Sequence, residues 1–378
     1  MSDRDHFTEL SYKMLQKDDL AQQDRQFWVE YILRLLRGKD MIETYTLGDV
    51  IEWNFTGDNI VFTQEQLEIP LDQLLGYYVY DWGAATTIYA YKLDGNDVYI
   101  IGLVGEDIVV QKIDTTSGNV TTLTGLTLDG GTLTDIAIDS NGLVYAVGDN
   151  AIGESDSKFA VWDGTEWTDI PTPGVLVNKC YVVDTIGTDV YIGGQFIDTD
   201  WPEASRVREL YKYDGSFTPL ITDAVASGGA IWDMELDTDG NLYLGGPFDV
   251  LGGVTVYNVA KYTVSTGAVS AIGGGIQEDD GVVRVIHKDA SGYIWVGWDI
   301  SLGGDSVIHR WDGSQWDTLG GIDNTTRVFG ITTIGEVGYC VGEFNNIYVW
   351  DGSWDIISTG TDKSYLAISS DTYGNIYV

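Results

Sequence analysis

The sequence predicts an all-β protein: a β-propeller of about seven four-stranded blades behind an N-terminal α-helical segment. Three observations predict it. An aromatic residue in a short apolar run, closely followed by Gly, recurs through most of the chain. Asp-Gly turn signals recur between strand-like runs. Composition supplies the third: 47 Gly against 6 Pro, with 23 Tyr and 13 Trp in 378 residues, favours strands joined by tight turns.

The aromatic marker falls at Tyr99, Tyr145, Tyr191, Tyr243, Trp295, Tyr339 and Tyr377, at intervals of 46, 46, 52, 52, 44 and 38 residues. Each unit opens on an alternating run, such as TDIAIDSNG from Thr134, that ends in a D-x-x-G turn at Asp139, Asp237, Asp289 or Asp371. Asp bonds its own backbone in such a turn and Gly accepts positive φ. The marker strand follows, then a loop of variable length. A third strand ends in an aromatic-Asp-Gly hairpin signal, as in VWDGTEW (161–167), RWDGSQW (310–316) and VWDGSW (349–354). Four short strands in ~40–50 residues, repeated with Gly and aromatic punctuation, describe propeller blades. Six full units span about 86–128, 129–174, 175–228, 229–279, 280–324 and 325–361, and a half unit spans 362–378.

An open ring leaves strand edges bare, so strands from the N-terminal side are expected to complete the last unit. VIEWNFTGDNIVFT, Val50 to Thr63, is the first candidate, because its apolar-Thr-Gly-apolar pattern parallels 258–272; YYVYDWG at 77–83 is the second. The expected organisation is a helical attachment segment at 1–41, a connector with ring-closing strands at 42–85, and the propeller at 86–378.

Residues 7–37 read as helical. Phe27, Tyr31, Ile32 and Leu35 share one face at helical spacing, with Glu30, Arg34 and Arg37 placed for solvent. One amphipathic helix cannot bury its stripe alone, so this face is expected to dock on the ring, on a second copy, or on another protein.

Formal charge is -38. Residues 1–41 hold eight of the 58 acids and seven of the 20 bases, so the acidity belongs to the remainder. Such a surface repels phosphates and anionic lipid, so nucleic acid is not an expected partner, and no stretch approaches the ~20 apolar residues that membrane insertion needs. Cys180 and Cys340 make no disulfide framework or metal knuckle. The N-terminus has no apolar run of signal-peptide type.

Catalytic chemistry has few candidates. Three histidines are present: His6, His287 on a first strand and His309 on a third. No acid/base constellation, cofactor or metal site is expected, and the repeated Asp residues have a sufficient turn role. For ligand binding the loop QFIDTDWPEASRVRE (195–209) is richest. Trp201 with Arg206 and Arg208 could stack on and hydrogen-bond an acidic glycan, and Trp298, where the repeat usually has Gly or Phe, is a further candidate. The WDG tryptophans Trp162, Trp311 and Trp350 are expected to pack between blades.

The unit NLYLGGPFDVLGGVTVYNVAKY…AIGGGI (241–276), with IWVGWDISLGG…IHRWDGSQWDTLGGI (294–322), resembles a bacterial and bacteriophage propeller repeat related to Kelch-type repeats. The resemblance covers about 86–378, and the unit at 325–361 departs from it in a shortened loop. Together with the missing signal-peptide run and a nearly neutral helical segment ahead of an acidic domain, it leads to the expectation of a non-enzymatic structural protein of a bacteriophage virion, in tail, baseplate or capsid. Such a protein would be made in the host cytoplasm, held to other virion proteins by its N-terminal segment, and carried in multiple copies, with a homo-oligomer as one form. The propeller would then face a host-surface protein or glycan. A bacterial surface or secreted propeller is the alternative, and a propeller lyase or oxidase comes third.

Overall fold

The computed structural model describes 51–56, 59–64 and 87–378, apart from 96, 105–106, 115–118, 127–131, 153–156, 171–178, 198–206, 223–228, 277–280, 301–307, 321, 323–326, 345, 359–364 and 371–375. The chain divides between Gly76 and Tyr77. From Thr87 onward, six antiparallel four-stranded sheets follow one another. They span Thr87–Thr122, Leu133–Asp169, Lys179–Thr222, Asp233–Ala271, Gly281–Thr318 and Val328–Ser358, and are called blades 1 to 6. These are the six full units expected from the marker spacing. The first strand of each blade packs against the first strand of the next, so first strands line a central channel and fourth strands lie outermost.

The described residues contain six blades, not seven. The terminal half unit is a two-stranded sheet, Ser369–Ser370 with Ile376–Tyr377. The upstream candidate does form a hairpin, but as a separate two-stranded sheet. Ile51 stands opposite Gln64 and Thr56 opposite Asn59, so its ladder is internal. The helix face of Phe27, Tyr31, Ile32 and Leu35 lies outside the described residues.

Local chemistry explains the repeat. Asp139, Asp237 and Asp289 each accept two or more backbone N–H groups of their own turn through Oδ1. Their second oxygen accepts from the marker aromatic: Tyr145 Oη at 3.3 Å, Tyr243 Oη at 3.2 Å and Trp295 Nε1 at 2.9 Å. One carboxylate thus shapes the turn and fixes the ring beside it. In the outer hairpins Asp163 and Asp312 accept two backbone amides and a hydroxyl each, while Gly164 and Gly313 take φ of 102° and 95°.

Cores form between blades. Ala90, Tyr99 and Ile101 of blade 1 pack with Leu133, Ile136 and Val144 of blade 2. Val182, Tyr191 and Leu210 of blade 3 do so with Ile231, Met234 and Leu242 of blade 4. The hairpin tryptophans seal the outer part of these interfaces. Trp162 and Trp167 pack on the blade 1–2 core, and Trp350 and Trp354 on that of blades 5 and 6. At the start of the fourth strand, Trp167, Trp316 and Trp354 donate Nε1–H to Leu123, Ile272 and Leu319 of the preceding blade, at 3.0, 3.1 and 2.7 Å.

Candidate interaction site

Five of the six innermost strands carry a β-bulge near their beginning. The extra residue is Tyr89, Thr134, Tyr181, Arg284 or Phe329 in blades 1, 2, 3, 5 and 6. In blade 4 the matching position is Trp232, whose N–H donates to Gly245 O just ahead of the ladder. A bulge releases one residue from the pairing pattern and re-aims its side chain. The result is a collar of six half-buried side chains, four of them aromatic, at the channel end where the first strands begin. Within it the Arg284 guanidinium lies 5.5 Å from the Trp232 ring and 5.3 Å from the Phe329 ring. Asp299 holds it from outside at 3.3 Å and also takes Arg327 at 2.9 Å.

Below the collar the channel is polar. Innermost edge strands present unpaired N–H groups, and neighbouring carboxylates satisfy some of them. Asp135 of blade 2 accepts from Val183 N of blade 3 at 2.8 Å, and Asp233 of blade 4 accepts from Ile286 N of blade 5 at 2.8 Å. The two contacts occupy equivalent register positions. Lys92 of blade 1 reaches Asp184 of blade 3 at 2.8 Å, with 37% of its side chain exposed although protein walls it in. That combination marks a narrow, solvent-accessible channel. His287 bridges Glu235 of blade 4 at 3.2 Å and Thr333 of blade 6 at 3.0 Å. Ser370 continues the ring by donating to Thr333 O at 3.0 Å, and Tyr91 of blade 1 hydrogen-bonds Ser369.

The electrostatics follow from this crowding. Burial lifts the Asp135 carboxyl to about 7, with the Val183 amide and Lys92 resisting and Asp233 adding to the rise. Burial likewise lifts Asp233 to about 6, aided by Glu235 and Asp184. For Lys92 burial acts downward, but Asp184, Asp135 and Glu235 together hold the ammonium above its ordinary value. Burial also acts downward on His287, and the Glu235 hydrogen bond and charge outweigh it. His309 lies outside this network: its Nδ1 pairs with Thr318 Oγ1 at 3.2 Å, and burial lowers it to about 4, which keeps it neutral near pH 7.

Trp298 is a core residue with no exposed surface, set edge-on to His309 at 5.7 Å. It stands where blades 3, 4 and 6 carry Gly194, Gly246 and Gly342, each covered by a Phe two residues later, namely Phe196, Phe248 and Phe344. Trp298 fills with one side chain the space those glycines leave to the phenylalanines. It offers no stacking face to a sugar. Trp201 and Arg206 lie outside the described residues, as does the side chain of Arg208. The strand ends flanking their loop, Ile197 and Val207, are at the collar end of blade 3, because antiparallel order returns the second strand there.

Sequence reasoning missed the collar and the channel charges. A signal existed: Tyr89, Thr134, Trp232 and Arg284 each stand five residues before the Asp that ends the first strand, at Asp94, Asp139, Asp237 and Asp289.

No family model matches the sequence, and no curated protein matches it. Solved structures do. A chain of the crystal structure of the Mitotic Checkpoint Complex aligns with TM-score 0.51 and 12% identity over 79% of this chain and 84% of that one. YCF48 bound to D1 peptide aligns with TM-score 0.50 and 11% identity over 73% and 82%. Both are β-propeller proteins. This chain is a β-propeller repeat protein. At such identities the likeness is one of fold, and the bacteriophage and Kelch parts of the repeat resemblance do not follow from it.

Proposed function

We propose that this propeller is a non-enzymatic protein-interaction module that engages its partner through the collar end of the channel. The observation that carries the reading is the collar itself. Tyr89, Tyr181, Trp232 and Phe329 are brought to one rim by strands that need no side chain there for pairing. Half-buried aromatic residues around a polar depression suit recognition, since rings supply contact area at low entropic cost. Within that reading the chain serves as a structural component of a bacteriophage virion, held by its N-terminal segment and turning the propeller to a further protein. The repeat resemblance supports this narrower assignment.

Two measurements test it. Mass spectrometry of purified virions should find the chain in stoichiometric amount, and its presence only in host membranes would refute the virion assignment. A photo-crosslinking residue at position 89 or 181 should capture a protein partner. Capture only from outer-hairpin positions such as 165 or 314 would refute the collar as the interaction face.

A further inference from the structure

Two arcs of the collar can be compared residue by residue. In blades 4, 5 and 6 the collar reads Trp232, Arg284, Phe329, with the guanidinium within 5.5 Å of the Trp232 ring and 5.3 Å of the Phe329 ring. A cation over the faces of aromatic rings is held by their quadrupoles, and more strongly where water is partly excluded. In blades 1, 2 and 3 the same positions read Tyr89, Thr134, Tyr181. The outer two are again aromatic, but the middle side chain is short. Its hydroxyl donates to Cys180 O of blade 3 at 2.8 Å, which ties it down on the neighbouring strand. The counterpart of the Arg284 side chain is therefore missing between Tyr89 and Tyr181.

Overall charge favours a cation there, although the nearest carboxylates are engaged: Asp135, the next residue in the chain, accepts from Val183 N at 2.8 Å, and Asp184, deeper on the adjoining innermost strand, is paired with Lys92 at 2.8 Å. The whole chain carries -38, so a basic partner is steered toward it and an acidic one is repelled.

We propose that the Tyr89–Thr134–Tyr181 arc is a slot for an arginine side chain presented by a basic segment of a protein partner. That side chain fills in trans the place that Arg284 fills in cis between Trp232 and Phe329. Arginine suits the slot better than lysine, because its planar, weakly hydrated head stacks on rings. This rests on the collar being the interaction face.

The probes are a blocked Gly-Gly-Arg-Gly-Gly peptide and its Gln counterpart, titrated by ligand-observed NMR against the full chain at ~0.15 M salt, where long-range attraction is screened. The Arg peptide should bind and the Gln peptide should not. Tyr181→Ala should weaken binding about tenfold, a change of ~1.4 kcal/mol. Thr134→Arg should abolish it by supplying the missing side chain. Equal binding to wild type and to a folded Thr134→Arg chain overturns the proposal. If Thr134→Arg does not fold, Arg284→Ala decides. That variant opens the second slot, so the Arg peptide should then shift the Trp232 indole N–H resonance, and no shift overturns the proposal. Spermidine binding as well as the Arg peptide, with the same response to Tyr181→Ala, would make the slot a general cation site and overturn the protein partner. Collar cross-links that persist in Thr134→Arg would leave the interaction face standing and remove the slot.

Discussion

Asp135 shows how a single carboxyl can set the pH response of the ring. Its folded value of about 7 lies far above the ~3.9 of an unfolded Asp. The sign follows from linkage: the folded chain holds this proton more tightly, so the stabilisation is complete below the unfolded value and disappears as pH rises through about 7. Asp233, lifted to about 6, and His287, also raised, act in the same direction. Tyr91, Lys92, Asp184 and Glu235 face the same channel and share the field. Stability should therefore fall between about pH 4 and about pH 7, as read by urea denaturation at each pH. Asp135→Asn keeps an acceptor for the Val183 amide and should flatten that slope; an unchanged slope would refute the assignment. A second residue-level expectation concerns the indole bonds between blades. Trp167→Phe leaves a ring in place but strands the Leu123 carbonyl, and should cost about 1 kcal/mol.

The opening of the first strand and the glycine-bearing second strand are one device. Gly246 lies so close to the start of the first strand that a methyl group there would strike the Ala230 carbonyl and the Phe248 ring. Gly274, at φ +85° in a turn, faces open space. Gly246→Ala should then cost about 3 kcal/mol through overpacking, and Gly274→Ala only about 1 kcal/mol of backbone strain. Chemical denaturation of the pair checks the order. The blades were legible in the sequence because their signals are local: Asp139, Gly142 and Tyr145 act within seven residues of one another. The channel network was not, because Asp135–Val183 and Lys92–Asp184 join residues 48 and 92 apart. Trp298 misled for a related reason. Its departure from the repeat looked like a functional exception, whereas the space it fills is shaped by a Gly and a Phe two residues apart in other blades. The count of seven blades went wrong because alternation and a Thr-Gly turn specify a hairpin at 51–64 but not the sheet it joins.

Across the whole molecule, charge is the dominant global term. Fifty-eight acids face twenty bases, and among the described residues several of the ion pairs that offset them are partly exposed, such as Lys112–Asp97 at 2.6 Å and Lys212–Asp189 at 2.7 Å. Surface pairs contribute about 0–1 kcal/mol each, whereas an unbalanced charge of this size repels itself throughout the fold. Screening should relieve more repulsion than attraction. The melting temperature is expected to rise between ~0.01 and ~0.3 M NaCl, where the Debye length contracts from about 30 Å to well below 10 Å. A fall, measured by calorimetry, would mean that the paired groups outweigh the rest.

The bulge has one more implication. A side chain that belongs to no ladder can be exchanged without breaking the backbone pairing on either side of it, so the sheet accepts a tyrosine, a threonine, an arginine or a phenylalanine in that place. Five such places on one rim, with Trp232 beside them, behave as a short alphabet on a fixed frame. Descendants of this chain could acquire new specificities one letter at a time, while the sheets beneath them stayed as they are.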